Sequence, residues 1–188
     1  MINNEILSEA DSDLFYELWL PLLDYVNRKS DINKTIGKIS TKGCYDPNDL
    51  MPIVKELWNR SDSLISSYLL DKCDGICLEY RNIIDSWRHH ITSRFLLERH
   101  LKRGSIFIDT QNTDNVYLVK GLKSSWEEMI WMFSLPVYLD ATLIPFKSTI
   151  VSDGLVVPYN IHFGGGISKQ FSNIYMKAKK ADKIIKSL

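Results

Sequence analysis

The sequence predicts an α+β protein: an N-terminal helical bundle, then a small antiparallel β-sheet or open barrel, and a C-terminal helix. Apolar residues recur at steps of three and four through roughly the first ninety positions, which is the helical period. Short runs of β-branched and aromatic residues, separated by turn residues, then predict strands. Because helices precede strands, the α+β class is favoured. We expect a helical region over residues 1–92 and a β unit over 93–188, packed as one compact unit.

The composition is that of an ordinary globular protein. Of the 188 residues, 45% are hydrophobic and 24% are charged. The chain has no apolar run long enough for a membrane span, and its acidic start, MINNEILSEADSD, differs from a secretory signal. We therefore expect a cytoplasmic protein without membrane contact, and no motif predicts a cofactor.

Three helices are predicted in the first half. The first covers residues 4–28, and Pro21 should kink or divide it. A polar loop over 30–49 precedes a second helix, which begins near Asn48 or Asp49 with Pro52 in its first turn and stops before Asp74-Gly75. The third helix follows over 76–91. Each has one wide apolar face, so the three should pack as a bundle.

The second half contains several strand patterns. Residues 105–109 and 116–122 predict a β-hairpin, and Ser124 or Ser125 should cap one or two helical turns with Glu127 or Glu128. Residues 137–144 alternate in polarity. The runs on either side of Asp153-Gly154 predict a second hairpin, and 159–163 a last short strand.

A glycine run connects this strand to a final amphipathic helix over 167–182. We expect the glycines to form a turn with positive φ. The residues of the helix predicted to face inward are Ile167, Phe171, Ile174, Tyr175 and Ala178.

The net charge of zero conceals an asymmetry. Residues 1–86 carry nine Lys or Arg and fifteen Asp or Glu, a net charge of −6, whereas residues 87–188 carry fourteen and eight, a net charge of +6. The two halves could neutralise each other when packed, or the basic half could present a binding surface.

A basic segment with interleaved aromatic residues, WRHHITSRFLLERHLKR, covers residues 87–103. Such donors suit phosphate groups, and aromatic faces can stack on bases. The alternative is an ordinary solvated surface. The glycines before the last helix could hold an anion at its N-terminus, although no P-loop pattern follows. The candidate nucleic-acid or anion-binding residues are Arg88, Arg94, Arg99, His100, Lys102, Arg103, Gly165, Gly166 and Lys169.

The sequence was also searched for residues that could form a metal-dependent active site or a reactive cysteine site. Asp140, Asp153 and His162 could converge in a metal-dependent hydrolase, but their spacing does not require it, and Asp153 is explained as a turn residue. No zinc-ligand spacing is present, so we expect no metal. Three cysteines do not form a disulfide framework, and we expect Cys44, Cys73 and Cys77 to be reduced thiols.

Several strings in the C-terminal half resemble a family of uncharacterised bacterial proteins: VYLVKGL (116–122), LIPFK (143–147), DGL (153–155) and YNIHFG (159–164). RHLK (99–102) also fits, and the resemblance covers residues 87–188. Some members carry a cysteine-rich zinc tail like that of the secretion ATPase SecA, whereas this sequence has no cysteine after Cys77. The resemblance implies a compact β unit of bacterial or mobile-element origin. It implies no activity and no catalytic residue.

The sequence therefore favours a non-enzymatic interaction or regulatory protein that binds a protein partner or itself. Tryptophans dominate interface hot spots, so Trp58 and Trp131 are candidate anchors, although Trp126 and Trp131 could both be core residues. A nucleic-acid-binding protein using the basic segment is the first alternative, and a metal-dependent hydrolase is the second.

Overall fold

The computed structural model describes residues 5–72 and 75–188. The chain divides into two units. The helical unit is Glu9–His90, and the barrel unit is Ile91–Leu188 together with residues 5–8. Cys73 lies outside the described residues, whereas Cys44 and Cys77 are exposed free thiols.

Four α-helices and a short 3-10 turn at Trp87–His89 build the described part of the helical unit. Asp46 caps the helix Pro47–Asn59 by accepting a hydrogen bond from the backbone N–H of Asn48 at 2.8 Å. The apolar faces of the helices meet in a core of aliphatic and aromatic side chains. The helices are α1 (Glu9–Ser30), α2 (Pro47–Asn59), α3 (Ser61–Asp71) and α4 (Leu78–Ser86).

Three helix predictions were partly wrong. Pro21 lies inside one continuous α1 and does not divide it. The single helix predicted after residue 48 is two helices, because Arg60 leaves the helical conformation (φ −133°, ψ 32°). The third helix ends at Ser86 and not near residue 91.

Six strands and two helices form the barrel unit. The elements are β1 (Ile91–Leu101), β2 (Gly104–Asp109), β3 (Val116–Val119), α5 (Trp126–Met129), β4 (Val137–Phe146), β5 (Thr149–Ser152), β6 (Val157–Tyr159) and α6 (Gly165–Lys180). Strands β1, β2, β3, β5 and β4 pair in that order, and β4 pairs again with β1, so the five strands close into a ring. The remaining strand, β6, pairs with β4.

The α+β class is thus confirmed, and the ring of pairings makes the β unit a barrel. The sheet is mixed and not purely antiparallel, because β3 and β5 pair in parallel at Val119 and Ile150. The strands of the ring pair in the order 1-2-3-5-4-1, and helix α5 lies between β3 and β4 in the chain. A register shift between Leu97 and Arg99 bends β1, which pairs with both β4 and β2.

The alternation predicted for β4 places one set of its side chains inside the barrel, where Val137, Leu139, Ala141 and Leu143 join the core. Trp126 of α5 is 2% exposed and joins the same interior core, and its ring packs against Phe107 with centroids 4.7 Å apart. The predicted capping box is present, with Ser125 and Glu128 bonded reciprocally.

Helix α6 covers the outer face of β1, β2 and β3. Tyr175 and Ala178 pack there with Leu96, Ile106 and Ile108. The segment that follows α6 pairs with β3, because Ile185 donates to Val116 O at 2.8 Å and accepts from Leu118 N–H at 2.9 Å. Ile185 belongs to the interior core and Ile184 to the outer cluster.

Several strand predictions need correction. The hairpin at 105–109 and 116–119 is confirmed, but β1 was missed. β5 and β6, on either side of Asp153-Gly154, both pair with β4 and do not form a hairpin with each other. The strand predicted over 159–163 ends at Tyr159.

The residues before and within α6 also differ in part from expectation. None of Gly164, Gly165 and Gly166 has positive φ, and a Cβ on any of them would contact nothing within 4 Å. Ile167, predicted to face inward, is 46% exposed.

The first described residues belong to the barrel unit and are not helical. Leu7 N–H donates to Gly121 O at 3.0 Å, and Gly121 N–H donates to Glu5 O at 2.9 Å, which forms a short β-bridge. Gly121 is required here, because a Cβ would lie 2.0 Å from Ser124 O. The helix predicted from residue 4 therefore begins at Glu9.

Candidate functional site

Arg88 of the basic segment is bonded within the helical unit. Its guanidinium donates to the Asp85 carboxylate at 2.7 Å, to the backbone oxygen of Asp62 at 2.6 Å and to Ser66 Oγ at 3.1 Å. Each N–H that is used in this way is no longer available to a phosphate group.

Arg94, on the exposed face of β1, also has internal partners. Its Nε donates to Asp140 Oδ1 at 3.1 Å, and its Nη2 donates to Tyr159 OH at 3.3 Å. The hydrogen bond with Asp140 raises the pKa of the Arg94 guanidinium. Tyr159 donates to the other oxygen of Asp140. The three side chains therefore form a closed surface network.

Arg99 and His100 are partnered as well. Arg99 Nη2 donates to Glu98 Oε1 and to Ser172 Oγ, both at 2.8 Å, and its guanidinium lies 4.2 Å from the ring centre of Tyr175. His100 Nδ1 lies 2.8 Å from Ser105 Oγ, and burial lowers the pKa of His100. These contacts attach the end of β1 to α6 and β2.

Lys102 and Arg103, in the turn between β1 and β2, are exposed and make no ion pair with other described residues. The basic segment is divided between the two units, with Arg88 in the helical unit and its other candidate residues in the barrel unit. Within the barrel unit, Arg94, Arg99 and His100 are held by internal partners, which leaves Lys102 and Arg103. Helix α6 covers the outer face of β2 and β3, so that face is not open to a ligand.

Gly165 and Gly166 were predicted to precede the last helix, but they form the start of α6, in which Lys169 is the fifth residue. All three are exposed. Gly164 is the N-cap, and its carbonyl accepts from Ile167 and Ser168. Nothing else in the described residues marks an anion site there.

The residues of the hydrolase hypothesis do not converge. Asp140 is engaged with Arg94 and Tyr159, while Asp153 is 5% exposed and accepts from the backbone N–H of Leu155 at 3.0 Å. His162 is exposed beside a different cavity. Across residues 5–72 and 75–188, no group of three or more His, Cys, Asp or Glu side chains could hold a metal ion.

The two candidate anchor tryptophans have different environments. Trp58 is half-buried and stacks on Trp19 (centroids 5.5 Å apart) and on His90 (4.5 Å). Trp131 is 76% exposed, just after the buried Trp126. Only Trp131 therefore offers most of its ring to a partner.

Trp131 is close in the sequence to three other exposed apolar side chains, Met129, Met132 and Leu135. A cavity of about 130 Å³ lies between residues 132–137 and 159–163. Met132 is 72% exposed and Ile161 47%, and both line this cavity. We call this group the Trp131 surface; it consists of Met129, Trp131, Met132, Leu135 and Ile161.

Sequence reasoning found Trp131 but missed the other four residues. The run MIWMF after the capping box contains more apolar residues than a single helical turn can bury, and this signal was available. The contribution of Ile161 could not be predicted from the sequence, because Ile161 lies 30 positions after Trp131 and only the fold brings it to the cavity, just after β6.

Comparison with models of known protein families, with curated proteins and with solved structures finds no match for this chain. The resemblance of residues 87–188 to the bacterial family therefore stays a prediction. Among the described residues, no helix combines the length and the apolar character that crossing a membrane requires.

Proposed function

We propose that the protein is a non-enzymatic interaction protein that binds an apolar segment of another protein at its Trp131 surface. The supporting observation is the exposure of Met132, Leu135 and Ile161 at one cavity, with Met129 and Trp131 exposed just before it in the chain. Grouped apolar side chains in water are costly, and contiguous exposed patches mark interaction sites. Tryptophan in particular dominates measured binding energies at protein interfaces.

The size of the cavity defines what it accepts. Its volume of about 130 Å³ is well below the roughly 300–1,000 Å³ of a small-molecule site, so the insertion of a single side chain is favoured. We therefore expect the partner to insert a Leu, Ile or Met side chain between Met132 and Ile161 and to cover the ring of Trp131.

Strand addition at the neighbouring sheet edge is disfavoured. The edge strand β6 has only three residues, and Pro158 at its centre lacks a backbone N–H. A partner that adds a strand depends on such donors. Binding should therefore rest on inserted side chains and not on backbone pairing.

The small size of the Trp131 surface favours a short partner segment over a second copy of this chain. Stable interfaces use about 20–30 residues on each side, whereas this surface has five. A short apolar segment is matched to that number.

The experiment places a photoreactive phenylalanine at position 131 in the native cell, and at position 70 as a control. Leu70 is 74% exposed but lies in the helical unit. A partner crosslinked only from position 131 is then purified, and its affinity is measured for Trp131→Ala, Ile161→Ala and Leu70→Ala. We expect at least tenfold weaker binding, about 1.4 kcal/mol or more, for the first two variants and no change for the third.

Three results would contradict the proposal: identical products from both positions, affinities unchanged by Trp131→Ala, or this chain itself as the crosslinked partner. The nucleic-acid alternative gives a separate signature. An electrophoretic shift that weakens steeply between about 50 and 200 mM salt, and that Lys102→Ala/Arg103→Ala abolishes, would favour that alternative instead.

A further inference from the structure

The helical unit contains a cavity of about 640 Å³, which is larger than the cavities of about 130 and 310 Å³ in the barrel unit. Sites for small molecules are typically about 300–1,000 Å³. One face of α1, the segment 38–41 and the end of α3 enclose it. Its lining residues on α1 are Glu17, Pro21, Asp24, Tyr25, Arg28 and Lys29; the other walls include Lys38, Ile39 and Lys72.

The wall opposite α1 is held in place although it has no regular secondary structure. Ile39 is 1% exposed, and its backbone N–H donates to Asp24 Oδ1 at 2.7 Å. Tyr45 OH accepts from Ser40 N–H at 2.8 Å and lies 3.0 Å from Lys38 O, to which it can donate. These bonds keep the segment in one conformation, so the cavity is formed before any ligand arrives.

Two carboxylates of the cavity are already used by the protein. Asp24 accepts from Arg28 Nε at 2.8 Å as well as from Ile39 N–H. Asp71 accepts from Tyr25 OH at 2.6 Å, and Lys29 Nζ lies 2.7 Å from the same hydroxyl. These bonds form two separate sets, Asp24 with Arg28 and Asp71 with Tyr25 and Lys29, and we call the two sets together the network.

Two lysines are outside that network. Lys38 and Lys72 line the cavity, are exposed, and have no carboxylate within ion-pair distance in residues 5–72 and 75–188. Against them stands Glu17, the one lining carboxylate that the network does not use. Counted over the whole lining, the four basic side chains exceed the three carboxylates by one charge, so the site favours an anionic ligand. The hydroxyls of Ser40 and Thr41 lie on the same wall and add hydrogen-bond donors.

The rest of the lining is apolar and rigid. Pro21 contributes exposed aliphatic surface, and the ring of Tyr25 is fixed edge-to-face against Tyr68 with centroids 5.3 Å apart. A ligand with a flat apolar body can pack against these two side chains. Inorganic phosphate alone would leave that surface uncovered.

We infer that this cavity binds a small organic phosphate with an aromatic body, of the size of a nucleoside monophosphate. A phosphate monoester carries about −1.5 to −2 charges at pH 7, so it can pair with Lys38 and Lys72 together, and its oxygens accept from ammonium and hydroxyl donors. A carboxylate ligand would satisfy only part of this donor set.

The test is calorimetric titration of the full chain with AMP and UMP, with adenosine and inorganic phosphate as separate probes. We expect saturable binding of at least one nucleotide, and binding at least tenfold weaker for adenosine and for inorganic phosphate. Lys38→Ala and Lys72→Ala should each raise the Kd of that nucleotide tenfold or more. Lys34→Ala is the matched control, because Lys34 is exposed, pairs with Asp31 at 2.7 Å and does not line the cavity.

No binding of either nucleotide below about 1 mM, which corresponds to −4.1 kcal/mol, would overturn the inference. So would equal binding of inorganic phosphate, which would show a simple anion site, or an affinity that Lys34→Ala changes as much as Lys38→Ala does. Thermal unfolding of each variant without ligand checks that the fold is intact. Because the cavity and the Trp131 surface belong to different units, failure here leaves the proposed function untouched.

Discussion

The two units use their tryptophans in different ways. In the helical unit, Trp19 stacks on Trp58 and packs edge-to-face against Trp87, with centroids 5.5 and 5.4 Å apart. In the barrel unit, Trp126 fills the interior, while Trp131 has three quarters of its surface in water. The aromatic residues of the helical unit thus stabilise one another, whereas one aromatic residue of the barrel unit is left for another molecule. An abundance of tryptophan therefore indicates neither a core nor an interface until the packing partners are known.

For charged side chains the difference between the units is reversed: two arginines of the barrel unit have carboxylate partners, and two lysines of the helical unit have none among the described residues. In the barrel unit Arg94 and Arg99 are bonded to Asp140 and Glu98. In the helical unit Lys38 and Lys72 face a cavity without a carboxylate partner among the described residues. The candidate protein contact is consequently apolar, and the candidate ligand site is charged.

The largest expected effect separates the two tryptophans of the barrel unit. Trp126→Ala removes a buried ring from the interior and should lower the free energy of unfolding by about 3–5 kcal/mol. Trp131→Ala removes an exposed ring and should change it by less than about 0.5 kcal/mol. Urea denaturation followed by circular dichroism measures both. Equal losses would show that Trp131 is a core residue and not a contact for a partner.

A smaller effect compares the loss of stability when a Cβ is added between two strands of the barrel with the loss when it is added in a loop of the helical unit. Gly104 has φ +132°, and an added Cβ would lie 2.6 Å from Val119 O. Gly104→Ala should therefore cost about 2 kcal/mol, because backbone strain of this kind costs roughly 1–3 kcal/mol. Gly37→Ala is the control, since its Cβ would contact nothing within 4 Å. If chemical denaturation gave the two variants the same stability, the close approach of β2 and β3 would be wrong.

The smallest effect compares one histidine from each unit. Burial lowers the pKa of His90 and of His100, and the nearby carboxylates (Asp62 for His90, Glu127 and Glu5 for His100) oppose this more weakly. The unfolded chain therefore binds protons first as the pH falls below about 6.5, so the free energy of unfolding should decrease from pH 7.5 to 5.5. His90→Gln and His100→Gln should each remove part of that decrease.

Urea titrations at the two pH values measure this effect, with His89→Gln as the control because His89 is an exposed neighbour. Stability that increased on acidification and lost that increase in either variant would reverse the assigned direction.

The parts of the fold that were predicted correctly have signals within a few residues of chain. The capping box needs only Ser125 and Glu128, and the alternation from Val137 to Leu143 needs only one strand. The missed strand β1 reads ITSRFLLERHL, in which charged residues interrupt the apolar pattern. Its identity as a strand depends on two neighbours, because β4 pairs with its first half and β2 with its second.

The sequence by itself determined the α+β class, the order of most elements and the opposite charges of the two halves, since these follow from local periodicity and composition. Only the tertiary structure decided which charges are neutralised, which tryptophan is exposed and where a cavity opens. Arg94 meets Asp140 across 46 positions, and Arg99 meets Ser172 across 73. The free energy of such pairs depends on which distant segments the closed barrel brings within hydrogen-bond distance, and no local pattern contains that information.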